Sequence, residues 1–227
     1  MCGRFTLTAG QRSALETRFG ASLPEGGLER FNVAPTESVL AVCGPGREGR
    51  LLRWGLVPHW AKDLKVGARM INARSETAAA KEPFASLAGN ADRRCLILAD
   101  GFFEWLRSED ARQPRQPLWF RVDEGEPFAF AGLWAKARVG GEPVRSATIL
   151  TTSPNDVVAR LHDRMPVILP GPEAEAAWLS EDVTAAEALA LCRPIEAARM
   201  SAQAANPAVN KPDPDAEGPH LLAAPGA

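Results

Sequence analysis

The sequence predicts an α+β fold, a single domain built mainly of antiparallel β-strands with short peripheral helices. Short apolar runs rich in β-branched and aromatic residues recur between turn signals, which is typical of strands. These runs follow one another with few helical crossovers, an order that favours an antiparallel sheet over a doubly wound parallel one. The chain has 227 residues, is 45% apolar and has no linker-like stretch before about residue 170, so one sizeable core is expected.

The predicted strands and helices are bounded by recognisable signals. The strands are the apolar runs between turn residues, at 38–43, 95–99, 118–122, 128–133, 148–152 and 167–169. The helices begin at capping residues and end at Gly or Pro. They are predicted at 11–19 (preceded by Thr8, ended by Gly20), at 155–161 (opened by Ser153 and Pro154), at 185–191 (capping box of Thr184 and Glu187) and from Ser75 to Pro83.

Composition divides the chain into a domain over residues 1–200 and an Ala/Pro-rich segment over 201–227, expected to be extended or partly disordered. The net charge is −2. Up to residue 170 there are 23 basic and 19 acidic residues, a balance of +4, and from residue 171 onward 3 and 9, a balance of −6. Any surface that binds a polyanion is therefore expected before residue 170 and must be local, because +4 creates no broad field.

Several classes of protein are disfavoured by what the sequence lacks. No apolar run approaches the ~20 residues that span a bilayer, and the first residues carry no signal-peptide core, so a cytoplasmic protein without a membrane partner is expected. The four cysteines form no C-x-x-C pair, which disfavours a zinc site, and no metal or other cofactor is expected. The chain has no tyrosine, so catalysis by a phenol is excluded.

Cys2 is the first candidate for chemistry. Removal of Met1 would leave cysteine as the N-terminal residue, a 1,2-aminothiol. An α-amine has a pKa of ~7.7–8.0 and a thiol ~8.5, so both groups are partly nucleophilic near neutral pH. The alternative is a small buried hydrophobic residue, the usual role of a free cysteine and the one expected of Cys43, Cys95 and Cys192.

Glu104 and His162 are candidate acid–base groups. Glu104 lies in the aromatic segment DGFFEWL, and by strand alternation it shares a face with Phe102. Desolvation there raises a carboxyl pKa toward the range of a general acid or base. His162 follows a predicted helix in LHDRMPVIL and suits proton transfer. A solvated Glu104 on an edge strand and a His162 that only caps or packs are the alternatives.

Polar and aromatic residues suited to an anionic ligand lie nearby in sequence. In INARSET, Asn72 and Arg74 project to one side of an extended segment, where an amide and a guanidinium can hold an anion. Arg74 paired with a surface carboxylate is the alternative. Tryptophans interleaved with cations suit single-stranded nucleic acid, because stacking contributes ~1–3 kcal/mol per base. One or two of the six tryptophans are expected to face a ligand, and the residues concerned are Trp54, Trp60, Trp105, Arg4, Arg53, Arg74 and Lys62.

Seven motifs in one order closely resemble the SRAP family, named for SOS response-associated peptidase. They are MCGRF, FNVAP, RWGLVPHWAKD, INARSET, RRCLILADGFFEW, LTTSPN and LHDRMPVIL, and they cover residues 2 to about 169. A fainter match continues in AVNKPDPDAEGPHLL. Phe103 departs from the tyrosine or tryptophan frequent in the family, which costs a hydroxyl but keeps an aromatic wall. Several motifs in register are more specific than any one motif.

The resemblance implies a sensor of abasic sites in single-stranded DNA that forms a thiazolidine with the sugar aldehyde and removes its own Met1. Carried over by motif, the catalytic residues are Cys2, Asn72, Glu104 and His162. The implied DNA-binding residues are Arg4, Arg74, Trp60, Trp105, Thr151 and Arg164. The implied activity is that of an SRAP-type cysteine peptidase with lyase-like processing of abasic sites. The protein is then expected to be a monomer that joins the nucleoid when it is bound to DNA.

Two other functions use the same residues differently. N-terminal-nucleophile amidohydrolases also begin Met-Cys-Gly and attack an amide with the freed cysteine, using the α-amine as base. They need an oxyanion hole and a pocket for a small amide, whereas the Arg, Trp and His residues here suit an anionic substrate with bases. The second is a noncatalytic single-strand binder with an inert Cys2. Arg4, Arg74 and Arg164 could also be structural partners of Glu76, Asp100 or Asp163.

Overall fold

Two β-sheets and five short α-helices make up the part of the chain that the computed structural model describes, residues 2–8, 11–26, 29–106, 115–213 and 217–225. The strands are β1 (Phe5–Leu7), β2 (Arg30–Val33), β3 (Ser38–Cys43), β4 (Glu48–Trp54), β5 (Asn72–Arg74), β6 (Arg94–Ala99), β7 (Gly101–Trp105), β8 (Pro117–Val122), β9 (Phe128–Val139), β10 (Glu142–Thr152), β11 (Met165–Pro166) and β12 (Met200–Ala204). The helices are α1 (Arg12–Phe19), α2 (Ser75–Ala78), α3 (Phe84–Ala88), α4 (Pro172–Leu179) and α5 (Ala185–Ala190). No helix among these described residues is both long and apolar enough to cross a membrane.

Five strands close into a barrel in the order β4, β3, β6, β9 and β10, because β10 pairs both with β9 and with β4. The β9–β10 pairing is a long antiparallel hairpin, and the β10–β4 pairing that closes the barrel is parallel. Closure removes the exposed sheet edges that otherwise invite aggregation. The predicted α+β architecture of mainly antiparallel strands is confirmed, with parallel pairings only where β10 meets β4 and β5 among the described strands.

Strand alternation divides the apolar side chains into two buried layers. On β6, Cys95 and Ile97 point into the barrel, where they join a cluster that includes Trp54 and Phe130. The intervening Leu96 points outward, and the cluster that contains it packs against the helical layer, which includes α4. Strands β6 and β9 are therefore apolar on both faces, and this explains their continuous hydrophobic runs.

The second sheet has the strand order β12–β8–β7–β1–β2. Its buried side chains pack against those of the barrel interior. The ring of Phe5 lies 5.1 Å from Trp54 and 5.6 Å from Phe130, both in edge-on geometry. Phe102 is stacked on Phe120 at 5.1 Å. These contacts fix β1 against the barrel, and β1 carries the residues that follow Cys2.

The helical layer is joined to the barrel by a buried arginine. Arg94 is fully buried at the start of β6, and its guanidinium donates to four carbonyl groups, those of Ala88, Trp178, Ser180 and Val183, at 2.8–3.3 Å. Burial lowers the pKa of Arg94 from its usual value. Because these carbonyl groups belong to the ends of α3 and α4 and to the loop before α5, one side chain satisfies several helix-end acceptors.

The segment after residue 200 takes part in the fold. Strand β12 pairs antiparallel with β8, from Met200 opposite Val122 to Ala204 opposite Leu118. Val209 and Leu221 are buried against Phe103 and Trp119 on the outer face of the second sheet. The domain boundary expected at residue 200 thus coincides with the first residue of a strand that joins the second sheet.

Most of the predicted strands are confirmed, and β3 has the predicted bounds. Residues 167–169 do not form a strand, because Ile168 makes only one isolated bridge with Phe130. Strands β1, β2, β4, β11 and β12 were not predicted; β4 begins with polar residues that line the end of the barrel. Helices α3 and α4 were not predicted either, although Pro172 at the first turn of α4 and two early glutamates are start signals.

The helix predictions are right for α1 and α5, wrong in length for the helix from Ser75, and wrong in type for residues 155–161. Gly20 ends α1 in the left-handed conformation at φ 58°, and the Thr184–Glu187 capping box begins α5. Thr8 caps nothing, since its backbone and hydroxyl both donate to Asp100. The helix predicted over 155–161 is only a 3₁₀ turn, and the one from Ser75 ends at Ala78, before a cis Glu82–Pro83 bond.

Replacing Arg94 with lysine should destabilise the protein by roughly 2 kcal/mol or more, because an ammonium group cannot reach four carbonyl groups and each buried acceptor left unpaired costs about 1–3 kcal/mol. Urea unfolding measures the change. Arg93→Lys is the matched control, since Arg93 is half-buried with its guanidinium carbon 4.7 Å from the Trp134 ring, a contact that lysine retains. Equal midpoints for the two variants would contradict the assigned role of Arg94.

Candidate active site and nucleic-acid surface

The pairing of β1 with β7 brings the N-terminus to Glu104. Phe5 lies opposite Phe102, and the backbone N–H of Phe103 donates to the carbonyl of Arg4 at 3.0 Å. The same antiparallel register, continued by two residues, puts Gly3 opposite Glu104. Residues about one hundred apart in the sequence are thereby placed side by side.

Cys2 is held at its backbone by Asn72. The side-chain amide of Asn72 donates to the carbonyl oxygen of Cys2 at 2.8 Å. Asn72 is itself fixed by the parallel pairing of β5 with β10, in which it lies opposite Ile149. The Cys2 side chain is fully buried, and its Sγ lies 3.7 Å from the carbonyl oxygen of Arg4. Met1 lies outside the described residues, so its predicted removal is not tested by this geometry.

Electrostatics couple Cys2 to Glu104. Burial raises the pKa of the Cys2 thiol well above its usual range, and the negative charge of Glu104 raises it further. Glu104 is 3% exposed, and burial raises its carboxyl pKa, to which the nearby charge of Asp163 adds. The raised pKa predicted from the aromatic flanks of Glu104 is therefore confirmed. A buried carboxyl with a raised pKa is suited to exchanging a proton with a neighbouring group.

His162 joins this group through Asp163. Its Nδ1 lies 2.8 Å from Oδ1 of Asp163 and 3.0 Å from the backbone nitrogen of Arg164. One nitrogen cannot accept from Arg164 and donate to Asp163 at the same time. A neutral His162 with the proton on Nε2 accepts from the Arg164 N–H, and protonation of Nδ1 turns the imidazole into a donor to Asp163.

Arg164 is anchored by Glu76 and β10. Its guanidinium makes a bidentate ion pair with Glu76 at 2.7 and 2.8 Å and donates to the Thr151 carbonyl at 2.6 Å. The alternative of a structural partner at Glu76 is thus confirmed for Arg164. This pairing lowers the pKa of Glu76.

Thr151 and Asp100 do not have the positions first considered. Thr151 is fully buried, with its hydroxyl between Arg164 and the carbonyl of Ala73, and its expected contact with DNA stays a prediction. Its side chain is enclosed by the strands on both sides, and it helps to position Arg164. Asp100 accepts from Thr6 and Thr8 and so serves the turn that joins β6 to β7.

Arg74, Trp60 and Arg4, which the motifs suggest for DNA binding, are accessible to solvent to different degrees. Arg74 is exposed at the end of β5, two residues from Asn72, and Trp60 is 59% exposed in the loop after β4. Arg4 is half-buried, donates to the carbonyl of Gly3 at 3.2 Å, and has a pKa lowered by burial. Arg53 is half-buried and donates to the carbonyl of Thr36, whereas Lys62 is exposed.

Trp105 is committed in part to packing. Its indole N–H donates to the side chain of Asn210 at 2.7 Å, and its ring packs with Phe103 under the C-terminal segment. Trp54 is fully buried, and its N–H donates to the carbonyl of Ile71. Trp60 is exposed and Trp105 is half-buried, whereas the other four tryptophans are buried. This fits the expectation that one or two face a ligand.

Asp163 and Glu76 are the residues whose place in the site the sequence analysis missed. Both were considered only as partners for arginines. The signal for Asp163 was its position beside His162, but its effect on Glu104 depends on folding and has no sequence signature. Over the ranges that the structure describes, no group of three or more His, Cys, Asp or Glu side chains is placed to hold a metal ion.

Comparisons with known proteins agree on one family. The family profile "SOS response associated peptidase (SRAP)" matches residues 1–212. The chain is 40% identical over 218 residues to the abasic site processing protein YoqW of Bacillus subtilis, covering 93% of this chain and 95% of that protein. It is 35% identical over 169 residues to the abasic site processing protein HMCES of Gallus gallus, covering 64% of this chain and 49% of HMCES.

Solved structures have the same fold. A crystal structure of a protein from Bacteroides thetaiotaomicron matches with a TM-score of 0.83 at 22% identity, over 97% of this chain and 98% of that chain. A crystal structure of a protein from Bordetella bronchiseptica matches with a TM-score of 0.76 at 28% identity, over 90% of this chain and 100% of that chain. The barrel and the second sheet are therefore an architecture that these proteins share.

Replacing Glu104 with glutamine should stabilise the fold at neutral pH relative to the wild type. A carboxyl whose pKa is raised in the folded state binds its proton more tightly there than in the unfolded chain. Wild-type stability is therefore lost as the pH rises from about 4.3 through the folded-state pKa, and glutamine avoids that loss. Urea midpoints across this pH range measure the difference between the two proteins, which should grow with pH.

Glu187→Gln is the control with the opposite sign. Hydrogen bonds from Thr184 lower the pKa of Glu187, so its carboxylate contributes stability that is lost as the pH falls through the folded-state pKa. Its difference from the wild type should therefore shrink with acidification. Parallel pH dependences for Glu104→Gln and the wild type would show that Glu104 carries no burial penalty.

Proposed function

Because this chain belongs to the SRAP family, we propose that it processes abasic sites by capturing them covalently, in single-stranded DNA, through Cys2. The observation that carries the proposal is the convergence of Cys2, Asn72 and Glu104, three residues from β-strand neighbourhoods that are far apart in the sequence. The relatives named abasic site processing proteins support the substrate class. The single-stranded form of the DNA is supported by the modest positive charge of the first 170 residues and by the exposed Trp60 and Arg74, a ring and a cation of the kinds that suit a base and a phosphate.

The first chemical step of the proposal is the removal of Met1. Hydrolysis of the Met1–Cys2 peptide bond consumes one water and releases methionine, which leaves a free α-amine on Cys2. The Asn72 amide, bonded to the Cys2 carbonyl, fixes the backbone so that the amine forms at a defined position. Self-removal fits the peptidase name of the family.

The second step joins Cys2 to the DNA. The α-amine attacks the C1′ aldehyde of the ring-opened sugar to form a carbinolamine, which loses water to give an imine. The Cys2 sulfur then adds to the same carbon, and the nitrogen takes up a proton, so that a five-membered thiazolidine closes. The net reaction joins protein and DNA with the loss of one water. The amine and thiol must therefore belong to the same residue.

Glu104 and His162 are proposed to move the protons. Glu104 is beside Cys2 and has a raised pKa, so it can take the proton of the attacking amine and return it to the departing hydroxyl. His162 is linked to the same group through Asp163 and is half-buried, so it can reach the sugar from solvent and assist its ring opening. Groups of this kind typically contribute ~10²–10⁴-fold in rate.

The DNA strand is proposed to follow the exposed side of the site. Arg74 and Trp60 are available for a phosphate and a base, and Arg164 is held by Glu76 with its guanidinium already oriented. Arg4 lies within two residues of the nucleophile, where it would hold a phosphate close to the reacting sugar. Trp105 offers only its half-buried edge, so it would wedge against a base beside the lesion and not stack fully.

Replacing Cys2 with serine should abolish the stable crosslink, because the thiazolidine ring contains the cysteine sulfur and serine has none. Intact-mass spectrometry after incubation with single-stranded DNA carrying one abasic site is the measurement. The wild type should have lost Met1 and should gain the mass of the DNA minus one water. Cys192→Ser is the matched control, since Cys192 is a buried thiol on the helical layer and should leave capture unchanged.

Two results would contradict this mechanism. Stable crosslinking by Cys2→Ser would remove the thiol from it. Hydrolysis of small amides by the wild type, with no mass gain on abasic DNA, would favour an amidohydrolase.

Arg74 and Arg164 should differ in how their loss affects binding. Arg74→Gln should lower the salt slope of log K for intact single strands by ~0.7 without changing the melting temperature, because Arg74 is exposed. Arg164→Gln should lower both the salt slope and the melting temperature, because it also breaks the contacts with Glu76 and Thr151. Salt titrations beside thermal melts measure the two effects.

Arg145→Gln is the control for the salt titrations, since Arg145 is exposed on the opposite half of β10. An unchanged slope for Arg74→Gln would move the phosphate contact to Arg53 or Lys62.

A further inference from the structure

Two cysteines outside the candidate active site face each other across the barrel wall. Cys43 on β3 lies directly opposite Cys95 on β6. The N–H of Gly44 donates to the carbonyl of Arg94, so the neighbouring pair is hydrogen-bonded and the cysteines form a non-hydrogen-bonded pair. Such pairs have Cα atoms about 4.5 Å apart, within the roughly 4.4–6.8 Å that disulfides span. Both side chains point into the barrel, and the two thiols share a hydrogen bond.

The neighbouring strand leaves room for this thiol pair. Gly132 on β9 is the partner of Cys95 on its other side. A Cβ at Gly132 would lie 2.9 Å from the Cys95 sulfur, closer than carbon and sulfur can pack. The absence of a side chain there is what allows the Cys95 sulfur to sit within the barrel beside Cys43.

The pair is reached from solvent through a polar opening, the barrel mouth, defined by Cys43, Glu48, Arg50, Arg93, Trp134 and Lys136. The mouth is a cavity of about 290 Å³. Three cations surround the Trp134 ring, with charged atoms 4.7–5.5 Å from its centroid. Cys43 lines this cavity at 4% exposure, whereas Cys95 beneath it is fully buried. A small neutral molecule can therefore meet Cys43 before Cys95.

We propose that Cys43 and Cys95 form an oxidation site, at which a hydroperoxide converts the two thiols to a disulfide that links β3 to β6. The Cys43 sulfur attacks one peroxide oxygen, the O–O bond breaks, and the other oxygen takes the proton of the Cys43 thiol and leaves as water, or as an alcohol where the hydroperoxide is organic. The Cys95 sulfur then attacks the Cys43 sulfenic acid, the S–O bond breaks, and the second oxygen leaves as water with the proton of Cys95. Two thiols thus give two electrons and two protons to one hydroperoxide.

The order of the two steps follows from burial and charge. Burial raises the pKa of the Cys95 thiol, and the charge of Cys43 raises it further, so Cys95 is suited to the second, resolving step. The oxygen that leaves the peroxide develops negative charge, which Arg93 and Lys136 stabilise, since Arg50 is already paired with Glu48. Cys192, by contrast, lies on the helical layer with its sulfur against the carbonyl of Ala188.

The experiment uses the full chain with Cys2→Ser, which removes the N-terminal thiol and leaves the barrel intact. The protein is incubated with hydrogen peroxide, digested without reductant and mapped by mass spectrometry. We expect one linked fragment that contains Cys43 and Cys95, lighter by two hydrogens and separated by dithiothreitol. The linked protein should also melt about 5 °C higher, since a cross-link restricts the unfolded chain.

Variants separate this site from general thiol oxidation. Cys95→Ser should stop the linkage and leave a Cys43 sulfenic acid that dimedone traps, and Cys43→Ser should stop the linkage altogether. Cys192→Ser should form the linkage as before. The proposal is overturned if Cys43 and Cys95 stay reduced while Cys192 is oxidised, or if the linked fragment forms only in urea. Both of these readouts come from protein with an intact Cys43–Cys95 pair, so they do not depend on whether the Ser variants fold.

Discussion

The sharing of β10 among four partners is the constraint on which both the fold and the site depend. Its first half pairs with β9, and its middle closes the barrel against β4. Its last residues pair with β5 on one side and β11 on the other. Strand β5 carries Asn72, and β11 begins directly after Arg164. The strand that closes the barrel, β10, therefore also fixes the distance between these two residues. Thr151 lies between β5 and β11 with no solvent exposure, which explains why a hydroxyl in a site motif serves as a support.

The second constraint is the burial of polar and ionisable groups beside the N-terminal strand β1. Glu104 lies on β7 of the second sheet at 3% exposure, and this burial, more than any single partner, raises its pKa. An ionised carboxylate in that position costs stability, and the fold tolerates it because the Phe5, Phe102 and Phe130 packing holds β1 and β7 in place. A group retained at a cost to stability is typical of a site where chemistry is performed. The same enclosure keeps the Cys2 sulfur from water while Asn72 fixes its backbone.

The two ends of the barrel have different chemistry. At one end the second sheet brings Cys2 to Glu104, and Arg74 is exposed nearby at the end of β5. At the other end, the barrel mouth has three cations around a single indole, and a thiol pair lies below them. The helical layer is tied to the start of β6 by Arg94, whose guanidinium is paired with carbonyl groups and not with a carboxylate. Arg94 contributes to stability away from the candidate site, whereas Glu104 belongs to the site and lowers stability when it is ionised, so variants of the two residues have effects of opposite sign.

The sequence by itself determined the α+β class, most strands of the barrel, the glycine that ends α1, the capping box of α5, and the four candidate catalytic positions. It did so because strand alternation, capping boxes and desolvating aromatic flanks are local patterns that act over a few residues. Tertiary structure decided which carboxylate pairs with which arginine, that Thr151 is buried, and that Thr8 binds Asp100 and caps no helix. It also decided that Cys43 faces Cys95 and that Asp163 acts on Glu104. These contacts join residues far apart in the chain, and their partners are chosen by strand register and barrel closure, which no local pattern of residues specifies.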